Sequence, residues 1–300
     1  MFDTILALDC RGRALKLDRP RICGIVNLTA DSFSGDGLAD DVDAAVAQGV
    51  AMVDAGADLL DIGAESTRPG ATPVAADAEI ARVVPVIEAL AARVEVPISI
   101  DTSKPEVMRA AVAAGAGLIN DVYALRREGA LDAAAGLKVP VCVMHMQGEP
   151  GTMQDDPHYD DVVAEVHRFL AERVFACGMA GIDRRNVLVD PGFGFGKTLE
   201  HNLALLRHLD RFAELGAAVF AGLSRKAMIG TLTGRERGAA RAAGSAAAAL
   251  VAVQRGALIV RVHDVAATHD ALAIWHAVHA GDAAPRKAVQ PFGSQRFGDD

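Results

Sequence analysis

Eight short runs rich in Val, Ile and Leu recur along this 300-residue chain, and a stretch of helical spacing follows each one. The runs are Arg21 to Asn27, Asp58 to Gly63, Pro97 to Asp101, Gly117 to Asp121, Pro140 to His145, Asn186 to Asp190, Ala217 to Leu223 and Ala257 to His263. The helical stretches are Asp41 to Ala55, Ala75 to Arg93, Pro105 to Ala114, Gly129 to Ala135, Asp161 to Ala180, Leu199 to Leu215, Arg241 to Arg255 and Val265 to Ala280. Near-continuous apolar runs are what parallel strands need when helices cover both of their faces. Ser103 before Lys104 and Pro105 marks one helix entrance, and Ala55-Gly56, Ala114-Gly115 and Arg255-Gly256 mark exits. Eight βα units without an intervening linker predict a single (β/α)8 barrel of the TIM type; the alternative is an open, doubly wound sheet. The expected layout is an N-terminal segment over 1–20, a barrel over 21–281 and a polar tail over 282–300, where Pro285, Pro291, Gly293 and Gly298 fall.

Composition narrows the partners. With 51% hydrophobic and 23% charged residues the chain is able to bury a large core, which excludes intrinsic disorder for most of it. A net charge of -9 repels nucleic acid and anionic membrane surfaces, so any bound anion must be held locally. The four cysteines, Cys10, Cys23, Cys142 and Cys177, form no CxxC pair and read as reduced thiols. Asp3 stands where a signal peptide needs positive charge, and the long uncharged stretch Ala242 to Gln254 falls short of a membrane span. The expectation is a cytoplasmic protein.

In a barrel of this kind the chemistry sits where the strands end. Here those ends are Asn27, Asp61, Asp101, Asn120 with Asp121, His145, Asp190, Ser224 with Lys226, and Arg261 with His263. A polar residue at one strand end is an ordinary loop cap; polar residues at all eight describe a site. The first and eighth strands are neighbours on closure, which sets Asn27 beside Arg261 and His263. A guanidinium fork, an imidazole and an amide suit phosphate or diphosphate, and the competing reading is an inter-strand salt bridge such as Arg261 with Asp264. Asp61, Asp101, Asp190 and Asn120 suit a flat heterocycle carrying several N–H donors. A divalent-metal cluster and a glycosidase carboxylate pair compete, although 4% aromatic residues supply few sugar platforms.

The stretch from Pro191 to Thr198 ends in Gly-Lys-Thr before a helix, but Pro191 occupies the first glycine position of a P-loop, and Gly192, Gly194 and Gly196 do not make GxGxxG. It reads as a flexible loop that presents Phe195 to a ring. His158, His201, His208, His269, His276 and His279 read as surface residues.

The strand-end motifs, taken together, resemble one family. Gly24 to Ser34 (Gly-Ile-Val-Asn-Leu-Thr-Ala-Asp-Ser-Phe-Ser), Asp61 to Gly70, Asp101-Thr-Ser-Lys-Pro105, Asn120-Asp121, Met144 to Gly148, Asp190 to Lys197, Ser224-Arg225-Lys226 and Arg261-Val-His263-Asp264 are similar, in order, to the dihydropteroate synthases. The resemblance spans roughly Arg21 to Ala280. It implies condensation of 6-hydroxymethyl-7,8-dihydropterin diphosphate with 4-aminobenzoate to give 7,8-dihydropteroate and diphosphate. It further implies that Asp101, Asn120, Met144, Asp190 and Lys226 bind the pterin, with Asp61 in support. Asn27, Arg261 and His263 would hold the diphosphate, and Asn27 would also contact Mg2+. Thr67, Arg68, Pro69, Phe195 and Ser224 would line the aminobenzoate pocket where sulfonamides compete. Asp101, Lys226, Arg261 and His263 would carry catalysis, by departure of diphosphate before the amine attacks, and the family commonly forms homodimers.

The first loop departs from the family pattern. Thr29-Ala30-Asp31 stands for Thr-Pro-Asp, and Ser34-Gly35-Asp36-Gly37 for Ser-Asp-Gly-Gly, which frees the backbone at position 30 and turns a carboxylate. Gly63-Ala64 for Gly-Gly is a smaller change. Three rivals are a methyltetrahydrofolate methyltransferase, a non-catalytic pterin-binding barrel and a dinucleotide oxidoreductase. Arg261 and His263 argue against the first, the retention of Lys226 and Arg68 against the second, and the lack of GxGxxG after the first strand against the third.

Overall fold

A computed structural model describes residues 6–29, 41–66 and 72–279. Eight parallel strands close into a barrel: β3 (Arg21–Asn27), β4 (Leu59–Gly63), β5 (Ile98–Asp101), β6 (Leu118–Asp121), β7 (Val141–Met144), β8 (Val187–Asp190), β9 (Ala218–Ala221) and β10 (Ala257–Val262). They pair in chain order, and β10 closes the ring by pairing with both β9 and β3. The fold is the (β/α)8 barrel that the eightfold alternation predicts, and each strand ends within two residues of its predicted place. β4 is buried at all five positions, which explains why the strands read as continuous apolar runs: one face fills the barrel and the other meets helices.

The helices are α1 (Val42–Asp54), α2 (Ala76–Ala91), α3 (Pro105–Ala114), α4 (Ala130–Leu137), α5 (Val162–Met179), α6 (Leu199–Arg207), α7 (Ala227–Thr233), α8 (Ala242–Gln254) and α9 (Val265–His279). Local chemistry sets several ends. The Asp41 carboxylate caps α1 by accepting from the Ala44 amide at 2.8 Å, and Asp161 caps α5 through the amides of Val163 and Ala164. Pro105 opens α3, and Gly115 closes it at φ +125°.

Two differences from the sequence reading have physical causes. The predicted helix Leu199 to Leu215 is broken: α6 stops at Arg207, and a 3₁₀ helix covers Leu209–Leu215. Leu209, Phe212 and Leu215 are buried at every third position, the repeat of a three-residue turn. The short helix α7 was not foreseen, because seven residues with a glycine at the centre show no helical period.

Residues 7–16 add an antiparallel hairpin, β1 (Ala7–Cys10) and β2 (Arg13–Lys16), across the end of the barrel opposite the strand C-termini. Leu8, Cys10, Leu15 and Leu17 pack there with Cys23, Leu59, Leu118, Cys142, Leu188 and Ile259, which point into the barrel's lower half. The hairpin floors the barrel, leaving the opposite mouth for ligands. The four cysteines are free and buried, and among the described residues no helix is long and apolar enough to cross a membrane.

Candidate active site

The strand register brings the polar strand ends to one level. Asn27 pairs with Gly63, Gly63 with Asp101, and Asp101 with Asn120, so the ends of β3 to β6 share a rim. Gly63 is small for a reason: a Cβ there would lie 3.3 Å from the Cβ of Asp101.

At the centre stands a carboxylate and guanidinium network. Asp61 is fully buried, and its Oδ2 accepts from Arg261 Nε at 2.6 Å and from Asn120 Nδ2 at 3.1 Å. Arg261 Nη2 donates to Asp101 Oδ2 at 2.8 Å. Asp61 Oδ1 is buried with no hydrogen-bond partner among the described residues, so it keeps an acceptor to spare. Burial pushes the Asp101 carboxyl up to about 7, although Arg261 pulls it down, and the two carboxylates hold the Arg261 guanidinium firmly charged. Arg261 does enter a salt bridge, but with Asp61 and Asp101; it is Arg225 that pairs with Asp264, at 2.6 Å. Neither ion pair of Arg261 uses its Nη1.

On the far side, Asp190 is buried and its Oδ1 accepts the Gly192 amide at 2.7 Å. Burial raises its carboxyl above the usual range against the pull of Lys226. Lys226 stands at the entrance of α7; its Nζ donates to the Phe193 carbonyl and lies 4.6 Å from the centre of the Phe195 ring. Burial lowers its ammonium to about 8, partly offset by Asp190. Met144 joins Val122, Met146 and Met153 in a small apolar cluster against Tyr123 and Phe195, which walls this side. Asp121 turns away: its carboxylate accepts the amides of Tyr123 and Leu125, both at 2.8 Å, and so shapes the loop after β6.

Ser224 and His263 meet at the β9 and β10 ends. Ser224 Oγ lies 3.0 Å from His263 Nδ1 and accepts the His263 amide at 3.1 Å. Thus Asp101, Asn120, Met144, Asp190, Lys226, Phe195, Ser224, Arg261, His263 and Asn27 all lie at one end of the barrel. Thr67, Arg68 and Pro69, and the first-loop departures from Ala30 to Gly37, lie outside the described residues.

The glycine loop after β8 is not the flexible element the sequence suggests. The Gly194 amide donates to Asn202 Oδ1 at 2.7 Å, and Tyr159 Oη donates to the Gly196 carbonyl at 2.8 Å. Lys197 Nζ turns inward to the Phe195 carbonyl at 2.9 Å and His145 Nδ1 at 3.0 Å. Its glycines are required: Gly192 has φ +72°, and a Cβ there would fall 1.8 Å from the His145 carbonyl oxygen. Lys197 is 3% exposed and pins the loop, the reverse of a phosphate-binding lysine. His201 likewise has a structural task, completing a capping box with Thr198.

The sequence gives no sign of how far this loop is pinned; it does place Asp61 among the acceptors of the mouth, although the family resemblance alone implies only a supporting role for it. The signal for Asp61 was a lone charge inside the apolar run Leu59–Gly63, a position where burial demands a partner.

A family model described as pterin binding enzyme matches residues 23–263. The dihydropteroate synthase of Escherichia coli (strain K12) is 48% identical over 269 residues, 90% of this chain and 95% of its own length. The chain belongs to the dihydropteroate synthase family. A solved Xanthomonas albilineans dihydropteroate synthase with 4-aminobenzoic acid is 63% identical and superposes with a TM-score of 0.87, covering 94% of this chain and 100% of that one. Another from the same organism, in complex with 7,8-dihydropteroate, is 58% identical with a TM-score of 0.82, covering 93% and 100%.

Among the described residues no group of three His, Cys, Asp or Glu side chains converges on a point where a metal could sit. Asn27, partly buried at the end of β3, offers one neutral oxygen, a donor that fits a largely hydrated Mg2+ better than a closed all-protein metal cage.

Proposed function

We propose that this chain joins 6-hydroxymethyl-7,8-dihydropterin diphosphate to 4-aminobenzoate, the reaction of its family, with the roles set by this mouth. The observation that carries the assignment of roles is Asp61: a fully buried carboxylate with one oxygen spent on Arg261 and Asn120 and the other without a partner among the described residues. An aminopyrimidine ring, with several N–H donors in one plane, is the ligand such a set of acceptors suits. Asp101, Asn120, Asp190 and Lys226 surround the same space, and Met144 supplies an apolar wall.

The exocyclic carbon–oxygen bond breaks first, and its electron pair leaves with diphosphate. Asn27, His263 and Arg261 receive that anion, Arg261 through the nitrogen its ion pairs leave over. Asn27 would hold a Mg2+ ion beside the diphosphate, and the ion would supply charge neutralisation. Asp101 stabilises the positive charge left on the ring, and the arylamine nitrogen then forms the new carbon–nitrogen bond and releases a proton. Phe195 and Ser224, with Thr67, Arg68 and Pro69, would form the arylamine side, where a sulfonamide would compete. The apolar residues exposed on α7 to α9, Leu232, Val251, Ile274 and Val278, support a homodimer, and a cytoplasmic setting suits four unpaired cysteines.

The test is diphosphate release by purified protein with Mg2+, pterin diphosphate and 4-aminobenzoate, each omitted in turn, with the pteroate product followed by mass. Release with product is expected. A folded protein that binds pterin and yields neither would overturn the catalytic reading.

A further inference from the structure

Ser224 and Lys226 are separated by one residue with an unusual backbone. Arg225 sits at φ +57°, in the left-handed region that a residue with a side chain holds only when its surroundings fix it. Among the described residues, its amide, its carbonyl and its side chain are each held. Its amide donates to Ser245 Oγ at 2.9 Å, and that hydroxyl donates to the Arg241 carbonyl at 2.7 Å. Its carbonyl accepts from Arg241 Nη1 at 3.1 Å, and the same nitrogen reaches the Lys226 carbonyl at 3.2 Å. Its side chain points to Asp264, with Nε to Oδ2 at 3.0 Å and Nη2 to Oδ1 at 2.6 Å.

The strain has a consequence for direction. With residue 225 left-handed, its side chain goes to Asp264, while its neighbours serve the mouth: Ser224 meets His263, and Lys226 meets the Phe193 carbonyl. Arg241 holds both carbonyls of this turn from the start of α8, with its Nε on the Arg235 carbonyl at 3.2 Å. Its seat is shaped for it. The three atoms nearest to a Cβ built on Gly230 all belong to the Arg241 guanidinium group, at 2.0, 2.4 and 2.7 Å, so only glycine at 230 leaves room.

We propose that Arg241, seated on Gly230, is a positioning residue that acts through the carbonyls of Arg225 and Lys226 to aim Ser224 and Lys226 into the mouth. The inference rests on the reading of those two residues as ligand-binding. Gly230→Ala is the sharpest variant, because it keeps every atom of Arg241 and displaces its guanidinium group. On helix propensity alone that change would stabilise α7. Arg241→Met removes the hold, and Arg241→Lys restores one donor.

Each variant is measured for thermal midpoint, for kcat and KM with each substrate, and for calorimetric binding of a pterin analogue. Gly230→Ala and Arg241→Met should lower kcat/KM and pterin affinity by roughly 10- to 100-fold, the scale of a 1 Å misplacement, with Arg241→Lys between them and the parent. The alkaline limb of the pH profile should move upward as Lys226 regains solvent. Parental kinetics, affinity and pH limb in Gly230→Ala would overturn the proposal, whether or not Arg241→Met folds. If the parent binds pterin but turns nothing over, the catalytic reading fails while the affinity comparison still decides this one. A parent that binds no pterin overturns both.

Discussion

Arg261 and Asp61 stand 200 positions apart in the chain and 2.6 Å apart in the fold, as Nε and Oδ2 of a pair in which the carboxylate is fully buried. Arg261 also reaches Asp101, and Asp61 also receives Asn120, so three strands are tied through one carboxylate oxygen. Removing one partner from a buried pair leaves the other charge uncompensated. Asp61→Ala is therefore expected to cost about 3 kcal/mol in urea unfolding. It should also lower kcat/KM for the pterin diphosphate more than for the arylamine. A parental unfolding midpoint with parental kinetics would show that Arg261 is held without Asp61.

The pH dependence follows from two opposed shifts. Asp101 must be ionised to accept from a pterin N–H, and burial has moved its carboxyl up to about 7. Lys226 must be protonated to donate, and burial has moved its ammonium down to about 8. Activity rises as pH climbs through the first value and falls as it climbs through the second. The profile of kcat/KM for pterin diphosphate should be a narrow bell, with an acid limb well above the ordinary carboxylate range. Lys226→Arg should remove the alkaline limb. An acid limb near 4 in the parent would mean that Asp101 is solvated.

The barrel, and the gathering of the described strand-end residues at one end of it, are legible because both depend on periodicity: each of eight apolar runs has a polar residue at or within two residues of its end, and closure puts β10 beside β3. What was illegible depends on side-chain direction. Arg261 and Asp264 are three residues apart and were natural partners on paper, yet Arg261 projects inward to Asp61 while Asp264 lies beyond the strand and takes Arg225. Asn120 and Asp121 are adjacent, but in a strand adjacent side chains face opposite sides, so one serves the site and the other shapes a loop. The glycines from Gly192 to Gly196 suggested freedom. The actual cause at Gly192 and Gly196, close approach to the carbonyls of His145 and Gln147, is tertiary and leaves no local mark.

Burial of His145 beside Lys197 should make the fold acid-sensitive. Burial, with the Lys197 charge adding to it, lowers the His145 imidazole from 6.5 to about 2. Lys197 is itself lowered by burial. A group with a depressed pKa in the fold takes up its proton more readily in the unfolded chain, so the His145 contribution to stability is intact above 6.5 and is lost as pH falls toward 2. The expected slope is about 1.4 kcal/mol per pH unit below pH ~6. His145→Asn should flatten that slope in urea titrations run at successive pH values. An unchanged slope in the variant would assign the acid loss to other groups.

The floor of the barrel should answer to stability alone. Leu15 is 3% exposed in the cluster that joins the hairpin to the inward residues of the strands, and Gly117 is so close that a Cβ would lie 2.4 Å from the Cys10 carbonyl oxygen. Arg13 ties the hairpin outward, donating to the Val96 carbonyl at 2.9 Å and to the Ala91 carbonyl, at the end of α2, at 2.6 Å. Leu15→Ala removes buried methyl groups where neighbours on all sides are fixed, and should cost about 2–4 kcal/mol. Because the catalytic groups project from the opposite end of the strands, kcat and both KM values should remain parental at temperatures where the variant is folded. Loss of turnover in a fully folded Leu15→Ala protein would mean that the hairpin shapes the mouth through the barrel, and that floor and mouth do not divide stability from function.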